Sequence, residues 1–139
     1  MKPEDCIFFQ LAKASQSAIR FWSHKASRLN LTAVQAMVLR FLYEKDSIAS
    51  RELGERTQLD SATLTGILDR LESIDFLERR QNPNDRRAIL VCLTEKGSEV
   101  SKKLDTLLED ANIEFLRNFS DEEKGLLRNF LLRIRYGKE

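Results

Sequence analysis

The chain has 139 residues, 32% of them charged and 42% hydrophobic, and a net charge of +1, which is one domain's worth of sequence with enough apolar content for a real core. No apolar run reaches membrane-spanning length and no signal-peptide pattern is present, so the expected compartment is the cytoplasm and no membrane partner is expected. Two cysteines and one histidine exclude a disulfide scaffold, and Cys6, His24 and Cys92 share no metal-binding spacing, so no metal is expected.

Residues Cys6 to Leu29 read as one long amphipathic helix, with Ile7, Phe8, Leu11, Ala14, Ala18, Ile19, Trp22, Ala26 and Leu29 at near-helical spacing. Asn30-Leu31 breaks that pattern. Thr32, with Gln35 three residues later, forms a capping box that starts the next helix. Its expected core stripe is Val34, Met37, Val38, Phe41 and Leu42, ending near Glu44, and Lys45 to Ala49 reads as a plain connection.

Ser50 is placed to cap a short helix, because its hydroxyl can accept one of the amides that a helix start leaves unpaired. Thr57-Gln58-Leu59-Asp60 interrupts the pattern, and Asp60 can cap a second helix from Ser61 to about Asp75. Leu64, Ile67, Leu68 and Leu71 form its core stripe, while Ser61, Ala62, Thr65, Gly66 and Asp69 lie on the opposite face. Water-facing helices usually carry Glu, Lys and Arg. A face of Ser, Thr, Ala and Gly instead permits close approach, and such side chains can hydrogen-bond base edges or pack on a thymine methyl. The same face is also compatible with ordinary small surface residues.

Leu77 to Gln81 and Ala88 to Leu93 are strand-like, joined by the turn-forming Asn82-Pro83-Asn84-Asp85. Arg79, Arg80, Arg86 and Arg87 surround this turn against a single Asp85, a concentration of charge suited to a narrow minor groove. Asp85 is two residues before Arg87 and is expected to hold its guanidinium. The alternative is an ordinary solvated hairpin. Between Ile48 and Leu93, seven arginines against eight carboxylates give −1, so the cationic signal is local to the wing.

Thr94 can cap a long helix with Val100, Leu104, Leu107, Leu108, Ala111 and Phe115 on one face, and Ser120 with Glu123 makes a capping box for a last helix carrying Leu126, Leu127, Phe130, Leu131 and Ile134. These stripes exceed what the central segment can cover, so a second copy of the chain is the expected partner. No Gly/Ser-rich linker and no repeat divides the sequence.

The run Arg51-Glu52-Leu53, then Leu71 to Arg79, Asp85-Arg86-Arg87-Ala88 and Leu93-Thr94-Glu95-Lys96-Gly97 resembles the MarR family of bacterial transcription regulators over essentially the whole chain. The resemblance implies a mainly α fold with a small β-hairpin wing. A winged helix-turn-helix at 32–97 is then flanked by dimerisation helices at 1–31 and 98–139. It also implies that the residue at Arg87 enters the minor groove and the one at Asp85 orients it, with Arg86 beside them. A homodimer would meet an inverted-repeat operator in double-stranded DNA, its half-sites about one helical turn apart. Arg51, Arg56 and Arg70 are candidate phosphate contacts, and Ser61, Ala62, Thr63 and Thr65 are candidate base readers.

Family members often bind phenolic or aromatic carboxylate ligands between the dimer helices and the winged helix, which makes a repressor released by such a ligand the expected function. Phe9, Arg20, Trp22, His24, Met37 and Phe41 are the candidate lining, and the same aromatics are equally compatible with plain core. Cys6, near the start of the first helix where the helix dipole favours negative charge, is a candidate redox sensor. Peroxide-sensing members support that cysteine with tyrosine hydroxyls, whereas this chain has only Tyr43 and Tyr136, with Phe21 and Trp22 in the matching stretch. Cys92 reads as a buried strand residue. No nucleophile–base set and no phosphate loop is spaced in the chain, so neither catalysis nor a cofactor is expected. A winged helix used to bind a protein partner is the alternative class.

Overall fold

Helix starts set the frame of this molecule, and four of them are closed by a side-chain acceptor. The computed structural model describes residues 1–137. Helix α1 (Ile7–Ala26) follows a 3-10 turn at Pro3–Asp5 and tightens into another at Ser27–Leu29, so the expected 6–29 helix is shorter and ends at left-handed Asn30. Helix α2 (Ala33–Glu44) begins on the Thr32/Gln35 capping box. Strand β1 (Ile48–Ala49) leads into α3 (Ser50–Thr57), and α4 (Ser61–Ser73) follows. Strands β2 (Leu77–Asn82) and β3 (Asp85–Leu93) precede α5 (Glu95–Phe115) and α6 (Asp121–Tyr136). Asp60, Thr94 and Ser120 each accept an amide from the third residue beyond, at 2.8, 2.9 and 3.1 Å. The last two residues of the 98–139 segment lie outside the described residues.

Three local expectations are corrected. Ser50 is the first residue of α3, and the N-cap is Ala49 without a side-chain bond. The connection after α2 contains a strand, since Ile48 and Ala49 pair with Val91 and Leu90 and give a three-stranded antiparallel sheet ordered β1-β3-β2. The α2 core stripe is rotated: Ala36, Val38, Leu39 and Leu42 are fully buried, whereas Val34 and Met37 are 43% and 37% exposed. The reason is position, because α2 packs against α1, α3, α4, α5 and β3. Its buried arc turns toward them and leaves the 34, 37 and 41 edge as the wall of a cleft.

The core is one cluster in which Leu39, Leu42, Leu53, Leu68, Leu71, Leu77, Val91 and Leu104 are fully buried. Cys92 is buried in β3. The wing's root is fixed against α5 by close backbone approach: a Cβ on Gly97 would stand 1.7 Å from the Phe76 carbonyl oxygen, which accepts the Thr94 amide. Only a glycine fits there. Ion pairs Arg40–Asp105 (2.7 Å) and Lys25–Glu114 (2.5 Å) tie α2 and α1 to α5.

The chain ends contrast with this core. Helix α6 has no buried residue, and Ile7, Phe8, Ile113, Phe119, Phe130, Leu131 and Ile134 are exposed. Large apolar side chains left exposed in such number are what a partner surface would cover. No described helix is long and apolar enough to cross a membrane.

Candidate nucleic-acid interface

Helices α3 and α4 meet at Gln58, which is left-handed at the end of α3 (φ 59°), and Asp60 starts the next helix. The Thr63 N–H and hydroxyl both donate to the Asp60 carboxylate, at 2.8 and 2.7 Å. Those bonds, the amide first, hold the Asp60 carboxyl below the usual carboxylate range. Leu64, Leu68 and Leu71 are buried, while Ser61, Ala62, Thr63, Thr65, Gly66, Asp69 and Arg70 are exposed, so the small-residue face opens outward. The Thr65 hydroxyl donates back to the Ser61 carbonyl at 2.8 Å, turning its methyl and lone pairs to the surface. Beyond the adjoining backbone of α4 itself, nothing lies within 4 Å of the place a Gly66 Cβ would take, so that face is open to close approach. Thr63 is a cap partner first, its hydroxyl proton already committed to Asp60.

Two adjoining concavities flank Arg51. One, of about 770 Å³, lies between α3 and α4 and is bordered by Ser50, Arg51, Gln58, Ser61 and Thr65. The other, of about 360 Å³, lies between α3 and the wing and is bordered by Ser50, Arg51, Asp85, Arg87 and Ile89. Arg51, Arg87 and the first turn of α4 therefore open on one continuous face. Arg51 is 92% exposed and only loosely paired with Glu55 at 3.6 Å. Arg86, adjacent to Arg87 in the strand, is exposed but borders neither concavity, because successive strand residues point to opposite faces. Ile89, on the Arg87 side two residues on, is a member of this surface that the sequence reading missed; the period-2 rule was the available signal.

The wing is tighter and less cationic than its sequence suggests. Its loop is only Pro83–Asn84, with Asn82 paired to Asp85 across a register shift, and the Asn82 side chain accepts the Asn84 amide at 2.9 Å. The strand begins at Asp85, so Arg86 and Arg87 are strand residues. Asp85 accepts the backbone N–H of Arg87 at 3.0 Å, where the sequence reading had it holding the guanidinium. Arg79 donates to Asp69 at 2.5 Å and Glu72 at 2.9 Å. Those bonds raise its pKa, and Arg79 in turn lowers that of Glu72. Arg80 donates to Glu78. Two of the four wing arginines are thus neutralised at its root by partners on α4 and β2, and the outward charge is carried by Arg86 and Arg87.

Arg56 stands on the other side of α3. It pairs with Glu44 at 3.3 Å, stands over the Phe41 ring at 6.0 Å and borders an apolar cleft on the side of α3 toward α2. Arg70 remains an exposed cation on the last turn of α4.

That cleft has a volume of about 420 Å³ and is lined by Ile19, Trp22, Val34, Met37, Phe41, Leu59 and their neighbours, with Arg56, Gln58 and Arg135 at its polar side. It takes Trp22, Met37 and Phe41 from the expected lining. Phe9, beside Lys13, and the exposed Arg20 and His24 lie outside it, because their positions on α1 face away from α2. Gln58 and Arg135 were missed, since nothing local in the sequence joins residues so far apart. Cys6 is a partly exposed free thiol at the α1 N-cap. The Tyr136 hydroxyl is bonded to Gln58 and Arg135 instead of supporting it.

A helix-turn-helix whose second helix, first-helix start and hairpin open on one face defines a winged-helix regulator of transcription. The chain belongs to the MarR family, whose profile matches residues 31–89. It is 32% identical over 103 residues to the organic hydroperoxide resistance transcriptional regulator of Bacillus subtilis, covering 74% of this chain and 70% of the relative. To the homoprotocatechuate degradative operon repressor of Escherichia coli it is 28% identical over 127 residues, covering 91% and 86%. Among solved structures, a mutant MarR from Escherichia coli complexed with operator DNA superposes with a TM-score of 0.84 at 31% identity, covering 90% of each chain.

Proposed function

We propose that this MarR-family regulator is a homodimeric repressor that reads an inverted-repeat operator and releases it when a small aromatic ligand occupies the cleft between α2, α3 and the end of α6. The observation that carries the DNA reading is the shared face of Arg51, Arg87 and the α4 start. Phosphate neutralisation needs cations where the backbone passes, not a basic chain overall. Ser61, Ala62 and Thr65 are the base readers, with Thr63 as an acceptor, and Arg51, Arg70 and Arg86 meet phosphates. The wing then reaches the minor groove through Arg87. The solved relative bound to operator DNA supports the reading.

The exposed apolar ends support dimerisation through 1–31 and 98–139, since two copies would cover each other's α1 and α6 faces. Two recognition helices would then lie about 34 Å apart, one turn of duplex. The cleft volume falls in the range of small-ligand sites, and the degradative operon repressor among the relatives supports an aromatic ligand.

Selection from a library of short inverted repeats across a salt series, with native protein and Arg87→Ala, tests the proposal. Tight selective binding that weakens steeply with salt and collapses in the variant is expected. Weak, sequence-blind binding indifferent to the substitution would overturn it in favour of a protein partner for the winged helix. Sedimentation of native protein and Phe130→Asp tests the dimer, with dissociation of the variant expected. Redox sensing at Cys6 is a second reading, favoured by the hydroperoxide-resistance relative. Cumene hydroperoxide would then release DNA from native protein and spare Cys6→Ser.

A further inference from the structure

The outward face of α4 carries few free hydrogen-bond donors. From Ser61 to Asp69 the chain holds no arginine, lysine, asparagine or glutamine, the residues whose side chains recognise guanine O6 and N7 or adenine N6 and N7 in the major groove. Arg70 stands on the last turn, about 12 Å along the axis from Ala62 and past the N-terminal part of a recognition helix that contacts bases. Gln58 is the one amide side chain between Ser50 and Ser73. It is turned to α6, where it donates to the Tyr136 hydroxyl and accepts from Arg135 at 3.1 Å.

The polar groups that remain on α4 are largely committed. The Thr63 hydroxyl proton goes to Asp60 at 2.7 Å and that of Thr65 to the Ser61 carbonyl at 2.8 Å, which leaves Ser61 as the remaining hydroxyl donor. The two threonine oxygens keep lone pairs, but these accept the N6 amino group of adenine and the N4 amino group of cytosine alike, so they do not separate those bases. Asp69, a possible acceptor for cytosine, is held by Arg79 at 2.5 Å. What the face still offers is carbon. Ala62 and Thr65 are exposed and three residues apart, hence neighbours on the helix surface, and Gly66 beside them lets the groove come close. Thymine alone of the four bases presents a methyl group there.

We infer that α4 selects its bases by the thymine 5-methyl group, seated against the Ala62 Cβ and the Thr65 methyl, and that no guanidinium or amide of the helix-turn-helix recognises a purine in the major groove. The inference rests on the DNA reading proposed above and adds the chemical feature of the operator that this helix distinguishes. Each buried methyl contributes a small apolar increment, so discrimination accumulates over several thymines. It is also independent of salt, unlike the phosphate contacts of the exposed arginines.

Deoxyuridine differs from thymidine by that methyl alone. The test takes the operator that the full chain selects from short inverted repeats and replaces each half-site thymine in turn by uracil, symmetrically in both halves. Native protein, Thr65→Ser and Thr65→Val are then titrated by anisotropy. Native protein is expected to lose roughly threefold to tenfold in affinity at the thymines under α4, by the same factor at low and high salt. Thr65→Ser keeps the hydroxyl and drops the methyl, so the uracil penalty at one of those positions should vanish. Thr65→Val keeps a methyl and drops the hydroxyl, so the penalty should remain. A merely structural role for Thr65 would weaken both duplexes alike, leave their ratio unchanged and overturn its part in the seat. Uracil tolerated within about twofold at every thymine would overturn the methyl reading while leaving the operator complex intact, and this arm needs no variant. Replacement of half-site guanines by 7-deazaguanine should be tolerated, and a loss of roughly tenfold would show a purine read through N7 and overturn the assignment. Failure of native protein to select any inverted repeat would remove the DNA reading itself and the assignment with it.

Discussion

Asp85 accepts the backbone N–H of Arg87 at 3.0 Å, so it shapes the strand that carries the arginine and leaves the guanidinium beside Arg51 at the edge of the groove. Asparagine keeps that acceptor and removes a negative charge. Asp85→Asn is therefore expected to bind operator DNA at least as tightly as the native protein, while Asp85→Ala weakens binding by about tenfold, the size of one lost local hydrogen bond. Electrophoretic or anisotropy titration on one duplex distinguishes this from a guanidinium-holding role, in which both variants would fail.

Arg79 is expected to matter for stability and not for DNA. Its guanidinium is held by Asp69 and Glu72 and is largely covered, with 28% side-chain exposure. Arg79→Ala should lower unfolding free energy by about 1 kcal/mol, after allowance for the solvent that reaches both carboxylates. Denaturant melts measure that loss. The salt dependence of DNA binding should be unchanged, whereas Arg87→Ala should reduce its slope by about one phosphate contact.

Gly97 tests the joint between wing and α5. A methyl there meets backbone, the Phe76 carbonyl, and not a side chain that could swing aside. Gly97→Ala should destabilise by roughly 3 kcal/mol, the upper end of overpacking costs, while Gly66→Ala, facing open space, should be stabilising by about 0.5–1 kcal/mol as a helix substitution and impair DNA binding instead. Thermal melts and operator titration of the two variants give opposite patterns.

Acid should unfold the protein through a few identifiable groups. Asp60 is held below its ordinary range chiefly by the Thr63 amide, Glu72 by the Arg79 guanidinium and Glu123 by the Ser120 amide. A carboxyl depressed in the folded state contributes stability above its unfolded pKa and loses it as pH falls through the folded one. Denaturant midpoints should thus be level from pH 7 to about 5 and fall below about 4, with Asp60→Asn flattening part of that fall.

The parts legible in the sequence are those decided within a turn of chain. The Thr32/Gln35 and Ser120/Glu123 boxes and the Asp60 and Thr94 caps lie where their three-residue spacing places them. Ser50 misled because the preceding extended residue took the cap position with no side chain involved. What was hidden depends on which elements meet. The two-residue β1 has no periodicity of its own and exists because β3 passes beside it. Arg79 reads as wing charge in the sequence, yet α4 brings Asp69 and Glu72 to it, and no local pattern shows that Arg56 meets Glu44 of α2. The face of α2 could not be chosen from its pattern, because apolar residues lie on both the buried arc and the cleft wall.

Among the described residues four hold left-handed backbone, Asn30, Ser47, Gln58 and Asp75, and none of them is glycine. For Gln58 a glycine would relieve about 1–2 kcal/mol of backbone strain against about 0.5–1 kcal/mol of added chain entropy in the unfolded state, so Gln58→Gly should give a slightly more heat-resistant protein. It would also erase the side chain that reaches Arg135 and Tyr136. A screen for thermostability would select that change and return a protein in which the Gln58 bonds from the turn to α6 are gone. Heat resistance and the tie between α6 and the helix-turn-helix are thus set against each other at one turn.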